Sequence, residues 1–391
     1  MTDARTDLQQ TRQQPAPSAT ARPYIGGQAV LEGVMMRAPH SFSIVVRRRD
    51  GSLLVRERAV ADERVGIRRW PLVRGVSSLV ESLRLGSESL RFSVEQLEKD
   101  LAAEEAAELA KSKASTAGLS ALLLLRAFGL SLFSLLSTDD GQAVASGTDA
   151  KKGARGAMGV MLVFAIAFLI ALPQAAAAGI NRLFNLGLEV QSPLFQVITG
   201  ALKLTVVVGY MLLIRRVPDI RRVFQYHGAE HKTISTYEAG EELVVANARA
   251  KTTLHPRCGT TFLVMVALVS ILVFTAVGGL LPRIHTGSAI ADNVLFFLEK
   301  LPFLPLIAAA TFEIQRVFAR YCTTGPLRAL LWPGFLVQKI TTIEPDDDQL
   351  EVALASLRAT LFREHGEVPE VADDVSFANY EALATASHLR S

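Results

Sequence analysis

Long uncharged runs, separated by basic segments, set the pattern of the second half of the chain. Residues 158–180, MGVMLVFAIAFLIALPQAAAAGI, carry no charge. About 20 apolar residues in a helix cross a hydrocarbon core, so this run predicts a membrane span. Residues 197–214 predict a second span with Lys203 inside it, and residues 260–281 a third. Residues 301–318 predict a fourth, with Glu313 and Arg316 in its last turns. Residues 121–136, ALLLLRAFGLSLFSLL, are shorter and place Arg126 in their middle. They predict a helix lying at the interface rather than a crossing, followed by a polar linker of small residues.

Before these runs the period changes. SFSIVVRRRDGSLLVRERAV sets two apolar segments on either side of Asp50-Gly51, the dipeptide of a tight hairpin turn. Gly26, Gly27 and Gly33 surround Glu32 just upstream. Glycines allow close backbone approach, so this stretch predicts a binding loop or an ordinary strand and turn. From Pro71 on, Leu72, Val76, Leu79, Val80, Leu83 and Leu90 recur at helical spacing. At the other end, TTIEPDDDQLEVALASLRATLF reads as a helix start. Thr342 or Glu344 can cap it, Pro345 suits a first turn, and Asp346, Asp347 and Asp348 favour the positive end of the helix dipole.

The expected fold class is therefore a mainly α membrane protein. It has four transmembrane helices, a small N-terminal β-element, an amphipathic or interfacial helix and a cytosolic C-terminal helix. The divisions expected are a disordered leader (1–23), a β-hairpin with amphipathic helix (24–115), and an interfacial helix with its linker (116–157). A four-span domain (158–318) with a cytosolic loop at 215–258 follows, then a helical segment (319–365) and a tail (366–391). The leader has no apolar core and no small-residue cleavage site, so it does not read as a secretory signal.

Half of the 391 residues are hydrophobic, more than one soluble core needs. The formal net charge is only +3, which gives no reason to expect nucleic acid as a partner. Placement of charge says more than its sum. Arg215, Arg216, Arg221, Arg222, Lys232, Arg249, Lys251 and Arg257 crowd between the second and third runs. The preceding loop has only Arg182, and the following one Arg283 and Lys300. Basic segments stay cytosolic, so the 215–258 segment and both termini are expected in the cytosol. The partner expected is the lipid bilayer; the substrate is unknown, and a homo-oligomer stays open. Four spans without a visible inverted repeat make a poor transporter.

The chemistry concentrates in YHGAEHKTISTYEAG, where His227, Glu230 and His231 read H-x-x-E-H. In a helix the two histidines stand one turn apart on one face and can reach one zinc ion. Glu230, about 100° away from His231, can point at a water as general base. The alternative is a polar helix turn at a membrane surface. Downstream, LHPRCGTT adds His255 and Cys258. A thiolate favours zinc over magnesium, and the two cysteines of the chain, Cys258 and Cys322, are too few for a disulfide framework and suit a reducing compartment. Glu313 is a further ligand candidate, or pairs with Arg316 one turn on. Glu238 is a spare ligand candidate, and Cys322 reads as a plain core residue. Cys258 as a nucleophile with a histidine base is a third possibility.

GGQAVLEGVMMRAP, PLVRG, FQYHGAEHKTISTYE, LHPRCGTTF and EPDDDQLEVAL occur in that order. Together they resemble the YqhQ-like family of bacterial membrane proteins, a domain of unknown function. The resemblance runs over residues 24–357 and implies a bacterial inner-membrane protein, with members labelled as metal-dependent enzymes without an assigned reaction. Carried onto this chain, that label rests on His227, Glu230, His231, His255 and Cys258, with Glu32 and Glu313 beside them. The expected function is a divalent-metal-dependent hydrolase, the metal being zinc, with a non-catalytic membrane scaffold or assembly factor as the alternative.

Overall fold

A computed structural model describes residues 22–60, 70–109, 171–282, 286–322, 325–366 and 373–386, together with Gly66 and Phe168. The expected leader, interfacial helix and linker lie almost wholly outside the described residues.

One antiparallel meander is built from β1 (Gly26–Val30), β2 (Gly33–Arg37), β3 (Ser41–Arg47), β4 (Leu53–Ala59) and β5 (Val375–Phe377), in that order. The Asp50-Gly51 turn joins β3 to β4 as the pattern predicts. The glycine-rich stretch upstream is also a hairpin. Val30 pairs with Gly33, leaving Leu31 and Glu32 as the turn, and Glu32 takes a φ of 52°, which non-glycine residues seldom adopt.

Both faces of this sheet are covered, and strand alternation sorts the residues between them. Met35, Phe42, Ile44 and Val46 pack on Leu85 and Phe92 of α1 (Val73–Leu109). Val34, Met36, Val45, Leu53 and Val55 pack on α10 (Asp347–His365), against Leu350, Leu354 and Leu357. Hydroxyls tie the second contact: Ser43 Oγ donates to the Ser356 carbonyl at 2.7 Å and Ser41 Oγ to that of Thr360 at 3.0 Å.

Between α1 and α10 run α2 (Leu172–Leu183), α3 (Pro193–Ile214), α4 (Pro218–Ala239), α5 (Val245–Arg249), α6 (Gly259–Val277), α7 (Ala289–Lys300), α8 (Leu304–Tyr321) and α9 (Trp332–Thr341). A short helix, α11 (Tyr380–Thr385), follows β5. Among the described residues, three stretches are long and apolar enough to cross a membrane: Pro193–Ile214, Gly259–Val277 and Ala291–Phe318. The last begins ten residues before the expected fourth span and passes through a single 3-10 turn at Leu301–Phe303 between α7 and α8. Most of the first expected span, 158–180, lies outside the described residues, α2 being its end.

Several expectations change. The 215–258 segment is mostly helix, with α4 and α5, rather than loop. The cap of α10 is Asp346, whose side chain takes the N3 amide while Gln349 Oε1 accepts from the Asp346 amide at 2.7 Å. A capping box satisfies two orphan donors at once, which neither Thr342 nor Glu344 could do from its position. The expected tail supplies the edge strand β5. On α1, Leu72, Val76 and Val80 remain exposed, because this end meets α8 through Arg74 and Gly75 instead.

Candidate metal centre

Helix α4 carries the H-x-x-E-H segment with both histidines buried, His227 6% and His231 1% exposed. Four-residue spacing brings their rings together edge to face, centroids 4.5 Å apart. Cys258, 5% exposed, is the N-cap of α6. His-Pro-Arg-Cys-Gly makes the turn that delivers it. The ligand atoms of His227, His231 and Cys258 all lie within 4.8 Å of one another. Tetrahedral zinc, with bonds of about 2.0 to 2.3 Å, holds such donors about 3.5 Å apart.

Hydrogen bonding fixes the tautomers. His227 Nδ1 donates to the Thr341 carbonyl at 2.9 Å, and His231 Nδ1 to the Thr253 carbonyl at 2.5 Å. In its neutral form each ring would present Nε2 as the acceptor. That of His227 lies 3.1 Å from Cys258 Sγ. That of His231 is buried without a hydrogen-bond partner, a loss on the order of 1–3 kcal/mol for an ordinary polar group. Thr260 Oγ1, 3.0 Å from Cys258 Sγ, contacts the sulfur from another side.

The charges agree with this reading. Burial pushes the Cys258 thiol up, but His227 and His231 outweigh it and hold it well below the usual thiol range. Burial opposes protonation of His227, yet the adjacent Cys258 sulfur, with Glu230, raises it to about 9. Burial lowers His231 and takes His255 down to about 4. Without a cation, the lowered Cys258 thiol and the raised His227 imidazole share a proton as an ion pair, and a metal ion taking both atoms as ligands would displace that proton.

Glu230 is buried one residue before His231, with its carboxyl laid against β1. A Cβ on Gly27 would stand 2.8 Å from Glu230 Cδ, so only glycine leaves this room. The Ala29 amide donates to it. Burial raises Glu230 to about 8, opposed by His227.

The other predicted residues go elsewhere. His255 sits next to the centre, its ring 5.7 Å from that of His231, but its Nε2 faces Glu238 at 3.4 Å. Glu238 also pairs with Arg257. Glu313 forms a two-pronged ion pair with Arg74 of α1, Nε to Oε1 at 2.8 Å, and so is neither in the donor group nor bound to Arg316. Glu32 accepts from Arg222 at 2.5 Å on both prongs and from the Tyr226 hydroxyl at 3.2 Å, which clamps the first hairpin to α4. Cys322 is a buried core residue beside Leu331 and Phe335. The two carbonyls that orient the histidines were invisible in the sequence, since every residue has one.

Among the described residues, fold and site thus define a helical protein with three candidate membrane-spanning helices and one buried group of nitrogen and sulfur donors. Residues 70–363 match the model of a family described as a protein of unknown function (DUF1385), and the chain belongs to that family. The matched span contains all three donors. The chain is similar to the uncharacterized protein YqhQ of Bacillus subtilis (strain 168), 28% identical over 347 residues, which is 87% of this chain and 92% of that protein. No solved structure matches it.

Proposed function

We propose that the protein is a membrane-embedded, metal-dependent hydrolase with zinc held by His227 Nε2, His231 Nε2 and Cys258 Sγ. One observation carries this reading: both imidazoles give Nδ1–H to main-chain carbonyls, which leaves their Nε2 atoms grouped with one sulfur. Such outer carbonyls are what orient metal-bound histidines. Sulfur with two imidazoles suits zinc, and three protein donors leave a fourth position, as in catalytic zinc sites. When bound, zinc supplies Lewis-acid activation of a carbonyl and of water.

Glu230 takes the proton at a carboxylate oxygen. His227 already opposes the burial that keeps this group protonated, and a bound cation acts in the same direction. The bond cleaved is an amide or ester at the cytosolic face of the inner membrane. Support for that placement is the grouping of Arg215, Arg216, Arg221 and Arg222 at the end of α3 and start of α4. With residues 158–180 as a further span, the chain crosses four times and both termini are cytosolic.

A structural role for the same cluster is favoured by its burial, because the donors and their carbonyls tie α4, the 250–258 turn and the end of α9 together. Glu230→Gln separates the two readings. The hydrolase reading expects a folded, zinc-loaded variant that fails to restore function in cells lacking the gene. Full restoration by that variant rejects catalysis by Glu230.

A further inference from the structure

Far from the His–Cys centre, the helical domain contains a largely apolar cavity of about 60 Å³, lined among others by Gln196, Lys203, Ser270, Phe274, Lys300 and Leu304. Ser270 follows Cys258 by twelve positions along α6, about 18 Å at helical rise. Lys203 is ten residues into α3, or about 15 Å, which places it near the middle of a candidate span. An ionisable side chain at such depth is costly and normally has a stated partner.

Neither lysine has a carboxylate. Among the described residues, no ion pair involves Lys203 or Lys300. Glu299, next to Lys300 in sequence, does not line the cavity. Residues 158–171 contain no Asp or Glu. Lys300 is 8% exposed, gives one hydrogen bond to Gln196 Oε1 at 2.8 Å, and lies 4.3 Å and 5.2 Å from the ring centroids of Phe296 and Phe274. These contacts hold the ammonium in place without cancelling its charge.

The 3-10 turn at Leu301–Phe303, through which α7 continues into α8, falls beside it, and Leu304 lines the cavity. A volume of about 60 Å³ exceeds what one water needs, about 10–15 Å³, and suits a small anion.

We propose that this cavity is an intramembrane binding site for a small monovalent anion of chloride or formate size, held by Lys203 and Lys300. It is independent of the metal centre. The test uses the full chain purified in detergent, with chloride exchanged for gluconate at constant ionic strength. Unfolding temperature should rise with chloride concentration and not with gluconate, which is too large for the cavity. Chlorine NMR of the same sample should show excess line broadening that added formate removes. Lys203→Arg should keep both effects, and Lys203→Met should lose both. If Lys203→Met does not fold, the wild-type comparison decides alone. Equal unfolding temperatures in chloride and gluconate with no excess broadening overturn the proposal, as does a folded Lys203→Met with the full chloride response.

Discussion

Three histidines lie within one small volume, and only hydrogen bonding tells them apart. His227 and His231 are locked by carbonyls at Nδ1 and group their Nε2 atoms with Cys258, whereas His255 Nε2 faces Glu238. Loss of a ligand should therefore differ from loss of a neighbour. We expect His231→Ala and Cys258→Ser to abolish zinc retention after dialysis, while His255→Ala keeps it, as read by metal analysis. Equal loss in all three would assign His255 to the donor set. The thiol offers a second check on protein stripped of metal. His227 and His231 hold Cys258 well below the usual thiol range, so a thiolate absorbance absent from Cys258→Ser should persist at neutral pH. An ordinary thiol, near 8.5, would be mostly protonated there. The residue types of this centre were legible in the sequence because imidazole and thiol are rare and were closely spaced. Glu313 misled because its partner, Arg74, is 239 positions away, a separation that no local pattern reveals.

At the scale of elements, the site depends on two close approaches of α4. On one side Glu230 occupies the space over Gly27 of β1. On the other, a Cβ at Gly228 would come within 2.1 Å of the Ile343 carbonyl oxygen. A side chain can swing away but a main-chain oxygen cannot. Gly228→Ala should thus be the more damaging change, by about 1–3 kcal/mol or more as for other overpacked sites. Gly27→Ala should mainly displace Glu230. Thermal unfolding of both variants checks the order, and equal losses would contradict it. Asp346→Ala removes a capping box from α10 and should cost about 1 kcal/mol. The β3–β4 hairpin was readable from Asp50-Gly51, and helices from their period. β5 was not, because three residues of an edge strand carry too little pattern, and their pairing with β4 joins chain positions some 320 apart.

Over the whole molecule, α1, the sheet, α4 and α10 form one packed unit at the end of the apolar helices. Sequence order hides this, since the unit draws on both ends of the chain and on the middle. The apolar runs were legible because length and hydropathy survive without any knowledge of neighbours. Their sidedness rests on the basic residues around 215–222. Cysteines introduced at Asn185 and at Glu242 test it in intact cells lacking other reactive thiols. An impermeant maleimide should label the first and not the second. The reverse pattern would place the His–Cys centre outside the cytosol and remove its reducing surroundings.

Everything at the centre follows from three donors sharing one cation. Metal analysis of the full chain, purified in detergent without chelator, measures that directly. Zinc in a one-to-one ratio to chain, absent from a folded His227→Ala/His231→Ala double variant, is the predicted result. A well-folded wild-type protein without zinc or another transition metal, or a double variant carrying as much as the wild type, would contradict it.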